Sequence, residues 1–335
     1  MLAITFGAAA QEVPYRILKS IRPGGAGSFD YVYADEAGRR LYVPRLGDSG
    51  RITVFNLDTF AHAGDIPNVS AHGAAVSPES MHGFATSKPV AMWDTRTLAP
   101  IKTIDVDGSP DGILHDPFND RIYIFSHKAP NVTVIGAADG SVLGTIDLGG
   151  APEQAATDGH GRVYVDIEDR DCIAVIDAAT MEVRNRYDLG GKGGTCAGLA
   201  LDVENQVLFA SCRNPHTMVI LSARDGKIIT VLPIGQGTDG AAFDPRTKEA
   251  FSSQGDGTLT VIKENSPTSF VVEQTVQTMQ NAKTLALDTR TNRVFLIAAE
   301  FGPSPQTTPA TPQAGGYIRR GPMVADSFSV LEVGR

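Results

Sequence analysis

Seven residues recur at one fixed offset from a repeated turn. Asp30, His72, Asp111, Glu153, Ala197, Asp239 and Lys283 each lie five positions ahead of the residue that opens it: Asp35, Ser77, Asp116, Asp158, Asp202, Asp244 and Asp288. Four carboxylates, an imidazole and an ammonium group suit two kinds of binding. They could hold a divalent metal through oxygen, or grip a cationic or polyhydroxylated ligand. Like charges so grouped repel one another, which raises the pKa of some members unless a cation compensates. Asp30, Asp111, Glu153 and Asp239 are the metal-ligand candidates, and His72 and Lys283 join them as ligand-binding candidates. A structural reading stands beside these, with the carboxylates lining a water-filled mouth and accepting backbone N–H groups from adjacent segments.

A second group falls where the strand after each turn ends: Arg45, Lys88, His127, Glu168, Arg213 and Gln254. Arg319 and Arg320 lie in a separate Pro- and Gly-rich stretch. A guanidinium above acids either pairs with them or receives an anionic part of a ligand. Arg45, His127, Arg213 and Arg319 are therefore added to the binding candidates. His72 and His127 are placed to act as ligands or acid–base groups. His62, His82, His115, His160 and His216 read as strand-edge or turn residues. No G-x-S-x-G, C-x-x-C-H, H-E-x-x-H or P-loop pattern occurs, so no catalytic residue is assigned. The chemistry requires no cofactor, and a divalent metal is the one cofactor that the acids suggest.

The elements that must carry these residues repeat. An aromatic follows each turn in an apolar run: Tyr42, Phe84, Tyr123, Tyr164, Phe209, Phe251 and Phe295, separated by 42, 39, 41, 45, 42 and 44 residues. Each unit offers an inner strand, the aromatic strand, a third apolar strand and a half-exposed outer strand with period-two alternation, such as MEVRNRYDL at 181. Four strands in each such unit are the signature of a β-propeller blade, and seven units predict an all-β, seven-bladed β-propeller with antiparallel blades. The last unit has no outer strand of its own. YRILKSI at 15–21 supplies it, which closes the ring and removes two open sheet edges. The propeller is expected over 14–335, with a long loop at 302–322 joining two strands of blade seven on the face that carries the acids. Trp93 and Met92 are expected in the core between blades.

The chain has 335 residues, 42% of them apolar, with 29 Lys and Arg against 38 Asp and Glu for a net charge of −9. That charge disfavours general polyanion binding. No apolar run is long enough to span a membrane. MLAITFGAAAQ at the start ends in an A-x-A pattern, so residues 1–13 read as the remnant of a secretory peptide or as a loose arm. The first alternative places the mature protein in the periplasm or outside the cell. Folded as a hairpin, 196–212 sets Cys196 opposite Cys212 and Leu199 opposite Phe209. That pairing accommodates either a cross-strand disulfide or two buried thiols.

RVYVDIEDRDCIAVIDAATMEVRNRYDLGG at 162–191 and RIYIFSHKAPNVTVIGAADGSVLGTIDLGG at 121–150 resemble the YVTN repeat, and nearly the whole chain is similar to the YncE-like bacterial seven-bladed propellers. The resemblance implies the propeller architecture and little chemistry, although one relative is associated with DNA. The first functional expectation is an exported binding or scaffold propeller that uses the channel-mouth face as a monomer, for an unknown small molecule or protein. A metal-assisted hydrolase or lyase of lactonase type is the alternative. Nucleic-acid binding comes third, since no basic face is visible.

Overall fold

In the computed structural model, which describes residues 13–25, 27–303 and 321–335, every regular element is a strand. These strands form seven four-stranded antiparallel sheets. The inner strands are Tyr33–Asp35, Ala74–Ser77, Pro110–Asp116, Pro152–Thr157, Cys196–Asp202, Thr238–Asp244 and Leu285–Asp288. Each packs beside the next, and the last returns to the first, so the blades close into a ring. In the final blade Arg16–Ile21 is the outer strand, paired antiparallel to Ser329–Gly334, with Arg16 opposite Gly334 and Ile21 opposite Val330. The ring therefore closes through the N-terminal strand, and seven blades are present. No helix exists among the described residues to cross a membrane.

One apolar cluster fills each blade-to-blade interface. All seven aromatics of the repeat are buried in these clusters, and so are Met92 and Trp93. Removing that apolar surface from water is the dominant drive for a sheet stack of this kind.

The turn column forms the end of each inner strand opposite the acids. Asp35, Ser77, Asp116, Asp158, Asp202, Asp244 and Asp288 are all buried. Each accepts a backbone N–H of its own turn, from Gly38, Ser80, Phe118, His160, Glu204, Arg246 and Arg290 respectively. Six turns end in a left-handed residue: Arg39, Met81, Asp120, Gln206, Lys248 and Asn292. The fourth turn is one residue shorter and uses Gly159 and Gly161 at φ +65° and +111°, a region where glycine alone carries no steric penalty. Several left-handed residues reach the turn acid of the preceding blade. Arg39 binds Asp288 at 2.7 Å, Lys248 binds Asp202 at 3.1 Å, and Asn292 binds Asp244 at 2.8 Å.

The blade-five hairpin departs from its expected register by one residue. Cys196 does face Cys212, and the two are joined by a disulfide. Phe209 faces Ala200 rather than Leu199, because a bulge between Cys196 and Gly198 takes up one residue. Gly198 is needed there, since a Cβ would stand 2.6 Å from the carbonyl carbon of Gly240 on the neighbouring inner strand. The expected leader or arm lies outside the described residues except Val13. Most of the 302–322 loop, with Arg319, also lies outside them.

Candidate functional site

Local backbone geometry aims the acids at the axis. In blades three to six the inner strand slips register between Pro110 and Ile113, Pro152 and Ala155, Cys196 and Gly198, and Thr238 and Gly240. Asp111, Glu153, Ala197 and Asp239 sit within those bulges. A bulge leaves a residue outside the ladder and re-aims its side chain. In blades one, two and seven the equivalent residues, Asp30, His72 and Lys283, lie just ahead of the strand, where no ladder constrains them. Just below, Gln154 ties blade four to blades five and six. Its Oε1 accepts the Leu199 and Ala241 N–H groups at 3.1 and 2.9 Å. The inner strands enclose a central space of about 390 Å³.

Acidic and basic side chains then alternate around the mouth. Lys283 binds Asp30 at 3.2 Å, and His72 Nδ1 lies 3.0 Å from both Asp30 Oδ2 and Asp111 Oδ1. His127 Nε2 lies 3.3 Å from Asp111 Oδ2 and 3.7 Å from Glu153 Oε1. Arg213 lies 3.8 Å from Glu153 and pairs with Asp239, whose other oxygen pairs with Lys283. The circle Asp30–His72–Asp111–His127–Glu153–Arg213–Asp239–Lys283 is thus closed. The partners of its four carboxylates are side chains, so the expected backbone N–H donors from adjacent blades do not supply them.

The circle has two unlike arcs. Arg213 and Lys283 occupy both oxygens of Asp239, and Arg213 also binds Glu168 at 3.0 Å and the Thr238 carbonyl at 3.0 Å. That side is tied. Opposite it, His72 and His127 keep 38% of their side-chain surface exposed, and Asp111 Oδ1 is buried without a hydrogen-bond donor.

Electrostatics follows from crowding and burial. Burial first, then the Asp30 charge, raises the Asp111 carboxyl above the ordinary range. Glu153 is pushed well up by burial, with Glu168 and Asp111 adding to the shift and Arg213 opposing it. The hydrogen bond to Asp30 raises His72 despite its burial. Tyr31 donates to Glu153 at 3.1 Å, and burial followed by the three nearby carboxylates raises its phenol far above normal. Repelling carboxylates in a half-dry setting favour a bound cation or bound protons.

Nine of the ten binding candidates are described, and eight of them make the circle. Arg45 does not join it. It is 1% exposed, donates to the carbonyls of Gly24, Gly25 and Gly27, and stacks 3.8 Å over the Phe328 ring. Its length lets it reach back into the connector ahead of blade one, where it holds a glycine-rich bend. Arg319 lies outside the described residues. Sequence reasoning overlooked Tyr31 and Asp166. Asp166 is wholly buried, has no partner on either oxygen, and lies across the blade-four bulge from Glu153 and Gln154. An acid inside the apolar strand RVYVDI is the signal that marks it. Burial, then the Glu153 charge, holds its carboxyl well above normal.

Two clusters have metal-ligand spacing: Asp30, His72 and Asp111, and Asp111, His127 and Glu153. Each offers one imidazole and two carboxylates. Asp239, a metal-ligand candidate by position, belongs to neither.

Seven closed antiparallel blades define the class as a seven-bladed β-propeller. No family model matches the chain, and no curated protein matches it. Among solved structures it is similar to a chain from the crystal structure of the mitotic checkpoint complex, with TM-score 0.71 and 11% sequence identity, covering 88% of this chain and 94% of that one. At that identity the likeness is one of fold alone, and a fold by itself assigns no role.

Proposed function

We propose that the chain is an exported binding propeller of the YncE-like, YVTN-repeat kind, which takes a small cationic ligand at the channel mouth. The charge balance of that mouth carries the reading. Asp30, Asp111, Glu153, Glu168 and Asp239 face two permanently charged side chains, Arg213 and Lys283, both of them on the tied arc. The open arc is left with carboxylates and half-exposed imidazoles. A cation entering between His72 and His127 reaches Asp111, whose two oxygens lie 3.0 and 3.3 Å from those imidazoles.

Export is supported by the A-x-A pattern near the start and by the Cys196–Cys212 disulfide, a bond that persists chiefly in oxidising compartments. The acidic mouth argues against nucleic acid, whose phosphates it would repel. A metal-assisted hydrolase or lyase is the second reading, favoured by the two His–carboxylate clusters.

The test is capture. The chain and its Asp111→Asn/Glu153→Gln variant are each incubated with a bacterial small-molecule extract, washed and denatured, and the released organic compounds are compared by mass spectrometry. The expected result is an organic cation retained near stoichiometry by the natural chain and lost from the variant. Equal retention by both proteins, or none by either, overturns the reading.

A further inference from the structure

We propose that Asp111 bridges a pair of divalent-cation sites at the channel mouth, one completed by Asp30 and His72 and the other by His127 and Glu153. The inference rests on the binding reading and names a ligand for the same mouth.

Asp111 divides its two oxygens between two imidazoles. Oδ1 lies 3.0 Å from His72 Nδ1, and Oδ2 lies 3.3 Å from His127 Nε2. A carboxylate turned this way to two separate nitrogen ligands has the disposition of a metal bridge. Within each cluster the three ligand atoms lie within 4.8 Å of one another. Metal–nitrogen and metal–oxygen bonds of about 2.0–2.2 Å place tetrahedral ligand atoms roughly 3.3 Å apart. The imidazole-to-carboxylate spacings of 3.0 Å in one cluster and 3.3 and 3.7 Å in the other bracket that figure.

Protons alone leave this arc incompletely satisfied. His72 Nδ1 hydrogen-bonds Asp30 Oδ2 at 3.0 Å, whereas Asp111 Oδ1, equally near, has no hydrogen-bond donor. One N–H is aimed at one of two acceptors. A cation among the three atoms instead takes a lone pair from each. Independently, Asp166 is 0% exposed with both oxygens unpartnered, opposite the bulge that presents Glu153. A buried polar side chain with unmet hydrogen-bonding capacity behind a ligand residue is the kind of supporting group found around metal centres.

The chemistry also selects the ion. One imidazole with two carboxylates per site favours first-row ions such as Mn²⁺, Fe²⁺ or Zn²⁺, whereas an all-oxygen set would suit Ca²⁺ or Mg²⁺. Three protein ligands leave room for water or for a ligand atom on each ion. Lys283 and Arg213 tie up Asp239 and so keep it out of the set. The half-exposed histidines provide the way in.

The test uses the full chain, stripped with chelator, dialysed against ZnCl₂ or MnCl₂, and measured for bound metal by inductively coupled plasma mass spectrometry. The natural chain is expected to hold two ions, His72→Gln and His127→Gln one each, and Asp111→Asn none. His62→Gln, on the outer strand of blade one, is expected to keep both. Thermal melts of the same samples establish that each variant is folded, and His72→Gln and His127→Gln give independent readings should Asp111→Asn fail to fold. No bound metal, equal loading of Asp111→Asn and the natural chain, or a natural chain that holds only one ion, absent from both histidine variants, overturns the proposal. If metal fails to bind while an organic cation is still captured, only this inference falls and the binding reading stands.

Discussion

The two ends of the inner strands solve the same problem differently. Both ends carry a column rich in acids, in six of seven blades at the turn end and four of seven at the mouth. At the turn end, Asp288 receives the Arg290 N–H, the Thr291 hydroxyl and both terminal nitrogens of Arg39. The carboxylate is fixed by its own turn and by the next blade. At the mouth end, Asp111 receives no hydrogen bond from any backbone group, and one of its oxygens is left without a donor. Acids of the first kind hold the ring together. Those of the second kind are held by the ring, at a cost in self-repulsion that a bound cation would relieve.

The comparison can be broken most sharply at the turn end. Asp288→Ala removes the acceptor of the Arg290 N–H, the Thr291 hydroxyl and one side of the Arg39 guanidinium, which keeps Asp58. It is expected to cost about 3–4 kcal/mol, read by urea unfolding, with ligand capture at the mouth unchanged. A loss under about 1 kcal/mol would mean that the turn acids are no more structural than surface pairs.

Replacing both Cys196 and Cys212 by Ser should cost about 3 kcal/mol by the same assay, the amount expected for a loop of that size. No loss at all would show that the hairpin is already fixed by its ladder.

A smaller effect comes with pH. Glu264 is raised to about 7 by burial and then by the Asp202 charge. A carboxyl raised in the folded state favours the protonated protein. Its contribution is full below the ordinary value near 4.5 and is lost as pH climbs through about 7. Stability should fall across that window by on the order of 1–2 kcal/mol once solvent screening is allowed for. Glu264→Gln should flatten the profile, and an unchanged slope would count against the assignment.

The smallest effect on stability is expected at the mouth. Asp111→Asn keeps the shape and removes a repelled charge, so its unfolding free energy should stay within about 1 kcal/mol of the natural chain while binding is lost. A large destabilisation would place Asp111 among the structural acids.

The architecture was legible because its signals are local and repeated. Asp-opened turns and buried aromatics recur once per blade, and each repetition corrects an error in another. The mouth positions were legible for a related reason: a fixed offset from a turn becomes a ring once the strands run along one axis. What that offset does not convey is side-chain reach. Arg45 sits at the same place in its blade as Arg213, yet one bends into a glycine-rich connector and the other crosses to Asp239. Nor does an alternating pattern reveal a bulge, which is why Leu199 and Phe209 are out of step and why Asp166 went unnoticed opposite Glu153.

The closing strand has a mechanical consequence. Arg16 lies opposite Gly334, and Ile21 lies opposite Val330, so the two free ends of the ring leave from the same end of one antiparallel pair. Tension applied between them loads the hydrogen bonds singly and in sequence, as a zip is opened. The same number of bonds pulled lengthwise would share the force. A pull along the chain should therefore open blade seven at low force and convert the closed ring into an arc, while the six blades made from continuous stretches of chain remain folded.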